Sequence, residues 1–368
     1  MSRWRWRGTV ALLGVAVAFF ILPVLPVYDV INSDWPAFAT GARLIATDAA
    51  HLYDLDVQRR VQAEVTGGRV LVSPGIHGIL PFLAPAWVAL IAVPFDALGT
   101  DVGGRLWVLF GLACLVAGLL LANRPRPPSQ ILPAFAGVPT ALLLLNAQLD
   151  GIVALGIGAA FVLWSRPYLA GVALGLTLMK PQLVLPLGVA LLAARLWKVL
   201  AGWAAAGVVL LAPTLALNPN WISQWRGQIQ ATVAPVSREV DLPHFGALFP
   251  SGIQTYAVLI LAAIALLFVL ALSARRRDDF RAVMALLVVG GVLVSPHALP
   301  ADLVLVAFGL GMWGETTWRE WLTLSVAALL AALIPAPVPA AVGVLVIGWL
   351  CLRISRARRQ APEPALPR

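Results

Sequence analysis

Apolar runs that reach or approach the ~20 residues needed to cross a bilayer recur from one end of this chain to the other. Within hydrocarbon every backbone N–H and C=O must be satisfied internally, so such runs are helices. Composition agrees: 60% of residues are hydrophobic and only 12% charged, with a mean hydropathy of +0.89. A water-soluble globule is excluded, and the fold class predicted is an all-α, polytopic integral membrane protein. Candidate spans are 8–27, 79–96, 103–122, 131–146, 150–164, 168–179, 182–196, 199–217, 252–272, 281–295, 302–314, 320–335 and 338–352. The first follows RWRWR without a small-residue cleavage pattern and reads as a retained helix rather than a signal peptide.

A net charge of +9 would suggest nucleic acid in a soluble chain. Here it has a topological reading, and no nucleic-acid partner is expected. Most of the basic residues fall at Arg3/Arg5/Arg7, Arg124/Arg126, Arg166, Arg195/Lys198, Arg275–Arg277 with Arg281, Arg319 and the tail from Arg353, which assigns that side to the cytoplasm. Both termini are expected there. Thirteen full crossings would contradict this, so one candidate between 79 and 146 is re-entrant or shares a crossing, where Pro81, Pro85 and Pro94 interrupt the pattern. About twelve spans are predicted, in a single domain over 1–355, followed by a disordered basic cytoplasmic tail, 356–368.

The polar residues then concentrate on the opposite side. The first outer loop, 28–78, gathers Asp29, Asp34, Asp48 and Asp54 beside Arg43, His51, Tyr53 and His77. Two helices are predicted in it, over 36–45 and 56–65, the second lying on the membrane surface with Val57, Val61 and Val65 on one face against Gln58, Arg59, Arg60 and Glu64. The second outer loop, 218–250, carries Trp221 and Trp225 at i, i+4, read as interfacial anchors with sugar platforms as the alternative, beside Arg226 and His244. Three short corners complete the plane: Asn146, Gln148 and Asp150 in NAQLDG; Lys180 before Pro181; and His297 with Asp302 in VSPHALPADL. Each is weak alone, since helix ends are where polar residues go. Together they outline a site at the membrane's outer face. Lys180, one of two lysines and on the wrong side for the charge rule, needs an anion, and a phosphate suits it. The two cysteines lie far apart in apolar runs, and no Gly-rich phosphate loop, HExxH or Cys/His cluster occurs, so neither metal nor cofactor is expected.

The order of these features resembles the GT-C type membrane glycosyltransferases, most closely family 87, the DUF2029-like polyprenyl-phosphate-mannose-dependent mannosyltransferases. The resemblance rests on SDWPAFATGARLIATDAAHLYD, on NAQLDGIVALGIGAAFVLW with YLAGVALGLTLMKPQLVLPLGVALLAARLWK, and on LVSPHALPADL. The family's usual Gly-Gln pair appears here as Ala147-Gln148, and an aromatic-Pro-Pro segment is replaced by SPGIHGILPF. What the resemblance implies is transfer of a sugar, mannose first, from a polyprenyl-phosphate donor to a cell-envelope glycolipid or glycan on the outer face of the plasma membrane. It implies that the first-loop acid is the general base, Asp34 with Asp29 as fallback. Lys180 would meet the departing phosphate, and His297, His77, Tyr53, Gln148, Asn146, Asp302 and Arg43 are the further donor or substrate contacts. A transporter or flippase of a lipid-linked sugar and a non-catalytic subunit of the same fold are the alternatives.

Overall fold

The computed structural model describes residues 3–71, 78–240, 248–249, 251–334 and 337–357. His77, His244 and the tail from 358 onward lie outside the described residues. Within them the chain is all helical: α1 (Arg3–Ile21), α2 (Trp35–Thr47), α3 (Leu55–Thr66), α4 (Ala86–Asp96), α5 (Thr100–Ala122), α6 (Leu132–Phe135), α7 (Val138–Leu145), α8 (Asp150–Val162), α9 (Pro167–Leu174), α10 (Leu185–Ala193), α11 (Trp197–Leu217), α12 (Trp221–Val240), α13 (Ser251–Arg275), α14 (Phe280–Val294), α15 (Leu303–Trp313), α16 (Trp318–Leu333) and α17 (Val338–Arg356).

Among the described residues five helices are long and apolar enough to cross a membrane, over Trp4–Val24, Thr100–Ala122, Trp197–Leu217, Tyr256–Arg275 and Val338–Arg356, and they mark a multi-pass membrane protein. A sixth is possible from Pro128–Phe135 and Val138–Leu145, which meet at 62° where Pro139 opens the second segment. Length and apolarity alone therefore give fewer crossings than the twelve expected. The difference lies in the middle of the chain. Candidate span 79–96 is an extended stretch followed by an 11-residue helix, and α8 and α15 have 13 and 11 residues. At 1.5 Å per residue these are about 16–20 Å long, against a hydrocarbon core of about 30 Å.

Close helix contact positions the polar corners. A Cβ on Gly151 would lie 1.9 Å from the carbonyl oxygen of Gly111, and one on Gly158 would lie 2.3 Å from that of Gly118, so α5 and α8 touch backbone to backbone. Gly291 of α14 likewise leaves room for the carbonyl of Leu183, just after Lys180. α14 is buried along its whole length and carries the loop 295–302 at its end.

Three buried or half-buried arginines, Arg126, Arg281 and Arg353, occupy the other end of these helices. Arg126 Nη1 donates to the carbonyl of Trp313 at 2.7 Å, satisfying the last turn of α15, whereas Asp302 stands at the start of that helix. Arg281 donates to the carbonyl of Ala122 at 2.6 Å and to that of Arg124. Arg353 pairs with Glu320 at 2.9 Å.

The two helices expected in the first outer loop are present as α2 and α3, but neither lies free on a surface. α2 is buried from Trp35 to Ala42. α3 buries Gln58, expected on its polar face, together with Gln62. Each amide binds extended backbone on both sides: Gln58 Oε1 accepts from Phe82 N at 2.9 Å, and Gln62 exchanges two bonds with Leu80 at 2.6 and 2.9 Å. The amides substitute for a neighbouring strand, which is why they are inside.

Candidate functional site

The chain rises from α1 through two short turns into Ser33, whose hydroxyl donates to the carbonyl of Val30 at 2.6 Å and accepts from Trp35 N at 3.2 Å. Trp35 then buries its ring, donates Nε1 to the carbonyl of Thr100 at 2.9 Å and seats against Gly104. These contacts fix Asp34 at the head of α2. Pro36 in the first turn has no N–H to satisfy and favours the start of the helix at that point. The Asp34 side chain does not cap its own helix. It turns instead to Gln148, whose Nε2 donates to Oδ2.

Gln148 is presented by the corner between α7 and α8. Asp34 N donates to the carbonyl of Asn146 at 3.3 Å. Ala147 adopts the left-handed conformation, φ +52°, and its carbonyl accepts from Trp107 Nε1 at 2.9 Å. Glycine adopts this left-handed backbone without strain, whereas here it is carried by alanine. Three residues after Ala147, Asp150 opens α8, wholly buried.

Lys180 sits in the break between two 3-10 turns, with Pro181 preventing the helix from continuing. Its ammonium is buried and donates to Asp150 Oδ2 at 2.9 Å and to Asp302 Oδ1 at 2.5 Å. Asp302 Oδ2 accepts from Leu299 N at 2.7 Å. Asp150 Oδ1 is buried with no hydrogen-bond partner. The anion that Lys180 calls for is supplied by the protein, and two of its three N–H groups are committed to it.

Asp34 retains partial exposure, yet the protein around it desolvates the carboxylate. That raises its pKa from 3.8 to about 6, against the opposing pull of the Lys180 charge and the Gln148 hydrogen bond. A carboxyl poised just below neutrality, ionised and reachable, can take a proton from a hydroxyl.

The chain matches the sequence model of glycosyltransferase family 87 over residues 82–296, more than half its length. The chain belongs to glycosyltransferase family 87. No curated protein and no solved structure matches it. The family 87 segment contains the corners of Gln148, Asp150 and Lys180; Asp34 precedes it and Asp302 follows it, and both are brought to it by the fold.

Other candidates lie elsewhere. Asp29 caps the turn at Ile31 (3.3 Å) and faces Arg69 at 3.6 Å. Arg43 pairs with Asp96 at 3.2 Å. Asn146 folds its amide back onto the carbonyl of Leu142 at 2.9 Å, contributing backbone rather than side chain. His297 is half-buried at the corner that leads to Asp302. Tyr53 is buried and donates to the carbonyl of Ala84 at 2.8 Å. Trp221, expected as an interfacial anchor, is buried among Tyr53, Trp87 and Trp225 at ring distances of 6.4, 5.4 and 6.0 Å. Asp150, which the sequence placed in the corner without a role, proves central. Its signal was a carboxylate opening an apolar helix.

Proposed function

We propose that this glycosyltransferase is an inverting enzyme of the GT-C type. It moves a sugar, mannose first, from a polyprenyl-phosphate donor to a cell-envelope glycolipid or glycan at the outer membrane face, with both termini cytoplasmic and about twelve crossings. The observation that carries the reading is the Asp34 carboxylate, which is partly exposed, raised to about 6, held by Gln148 and joined through that corner to the buried Asp150–Lys180–Asp302 cluster.

In this mechanism an acceptor hydroxyl attacks the anomeric carbon as its proton passes to Asp34. The bond from that carbon to the phosphate oxygen breaks, and its electron pair leaves with the lipid phosphate. Inversion needs one base and no covalent sugar–enzyme intermediate. The third N–H of Lys180 is the donor left for a phosphate oxygen, in a setting of low dielectric where such a contact is strong. His297 is a second candidate for the phosphate. The orphaned Oδ1 of Asp150 is an acceptor for a sugar hydroxyl.

The deciding experiment supplies purified protein in nanodiscs with radiolabelled polyprenyl-phosphate-mannose and a cell-envelope glycolipid extract. Label should move into glycolipid with the wild type and not with Asp34→Asn. Transfer undiminished in Asp34→Asn would remove the base assignment, and no transfer from mannose, arabinose or glucose donors would overturn the donor class.

A further inference from the structure

Helices α9 and α11 run side by side in the same direction. A Cβ on Gly171 would lie 2.0 Å from the carbonyl oxygen of Val199, one on Gly202 would lie 2.1 Å from that of Tyr168, and one on Gly175 would lie 2.3 Å from the Cβ of Ala206. At their far ends α9 leads through a 3-10 turn to Lys180, and α11 ends at Asn218, whose amide donates to the carbonyl of Ala49 in the loop 28–78. Their starts therefore lie together at the end of the bundle opposite Asp34. Arg166, Arg195 and Lys198 are gathered there, all exposed. No acid accompanies them. The chain has none between Asp150 and Glu239. The α13–α14 turn adjoins through Phe280, 4.6 Å from the Trp164 ring, but its acids Asp278 and Asp279 pair with Arg277 and Arg276. Among the described residues none of the three cations has an ion pair or a side-chain hydrogen bond.

The local backbone does not call for these charges. Arg166 and Lys198 stand at the starts of α9 and α11, where the helix macrodipole disfavours cations. Arg195 occupies the left-handed position, φ +54°, that closes α10, with Leu196 N donating to the carbonyl of Leu191 and Arg195 N to that of Leu192, both at 3.0 Å. Glycine fills such a position without strain, and the chain keeps an arginine there. The border of the cluster tells which anion fits it. Tyr168 and Trp197 are more than half exposed, 56% and 60%, and Leu169, Val172 and Leu192 beside them are exposed as well. A freely diffusing anion gains nothing from that apolar border. An amphiphile with a negative head and acyl chains matches both parts, and aromatic rings are the usual neighbours of headgroups.

We propose that the paired starts of α9 and α11 bind an anionic phospholipid of the leaflet opposite Asp34, its phosphate among Arg166, Arg195 and Lys198 and its chains along Leu169, Val172 and Leu192. The surface goes beyond the transfer reaction and does not depend on it. Delipidated full-length protein in detergent is offered phosphatidylglycerol and phosphatidylcholine of equal chain length at equal concentration, and the lipids retained are counted by native mass spectrometry. The site variant is Arg166→Gln/Arg195→Asn/Lys198→Gln, asparagine being tolerated in a left-handed turn. A control, Arg5→Gln/Arg7→Gln/Arg356→Gln, removes the same charge from exposed positions elsewhere. Wild type is expected to prefer phosphatidylglycerol by about fivefold or more, the preference vanishing in the site variant and surviving in the control. Absence of a preference in wild type, its survival in the site variant, equal loss in both variants, or displacement of the lipid by inorganic phosphate would each overturn the surface. Arg166→Gln and Lys198→Gln are also measured singly, so that the outcome is read even if the triple change does not fold. Each is expected to lower the preference about twofold or more, and an unchanged preference in both would equally overturn it.

Discussion

Moving the Asp34 carboxyl from its ordinary 3.8 to about 6 makes its ionisation harder in the folded protein than in the unfolded chain. The folded state therefore holds a proton that the unfolded state has lost between those values, and stability declines as pH rises across that window and levels off above 6. The carboxylate is a liability to folding at neutral pH, on the order of 1–3 kcal/mol. Asp34→Asn, which still offers an oxygen to Gln148, is expected to unfold at an equal or higher temperature at pH 7.5 while losing transfer by two orders of magnitude or more. Thermal unfolding beside a turnover assay reads both. The kcat/KM of the wild type is expected to rise through pH 6 and to flatten above pH 7. Lys180 behaves in the opposite sense. Lys180→Met alone strands two buried carboxylates, and about 3–5 kcal/mol of stability should go with it. Adding Asp150→Asn and Asp302→Asn is expected to restore most of the unfolding temperature without restoring transfer. Scanning fluorimetry of the single and triple variants measures this; a single variant as stable as wild type would deny the buried network.

At the scale of elements, the site depends on two backbone approaches. Gly151→Ala drives a methyl carbon into the Gly111 carbonyl, and the helix that carries Asp150 must shift. A loss of about 1–3 kcal/mol is expected, with transfer falling further than stability because Asp150 leaves Lys180. Ala147→Gly runs the other way. Relief of the left-handed strain, roughly 1–2 kcal/mol, outweighs the added freedom of glycine, roughly 0.5–1 kcal/mol, so a small rise in unfolding temperature is expected. Much of this was legible in the sequence, for a physical reason: polar groups are expensive in apolar surroundings, so Gln148, Lys180 and Asp302 stood out against the runs that flank them. What could not be read was who meets whom. Lys180 joins residues 30 and 122 positions away, and no periodicity encodes such a contact. Gln58 was misplaced because an amide on an amphipathic helix looks like solvent face until its backbone partner is known.

For the whole molecule, the segregation of Arg126, Arg281 and Arg353 from Asp34, Asp150 and Asp302 is the arrangement that the charge rule for membrane insertion produces. Cys114 and Cys351 are both buried, so the natural chain is a quiet background for labelling in intact cells. Asp56→Cys is expected to react with an impermeant maleimide from outside, and Arg277→Cys only after the membrane is opened; the reverse pattern would invert the topology.

The Asp150–Lys180–Asp302 network also imposes an order on biogenesis. Asp150 and Lys180 leave the ribosome close together and can pair while most of the second half of the chain is still to be made, but one acceptor of the ammonium arrives 122 residues later. A nascent chain stopped short of Asp302 leaves the Lys180 ammonium with one of its two carboxylate acceptors. The network therefore closes only after the polypeptide has been made as far as Asp302, well into the second half of the chain.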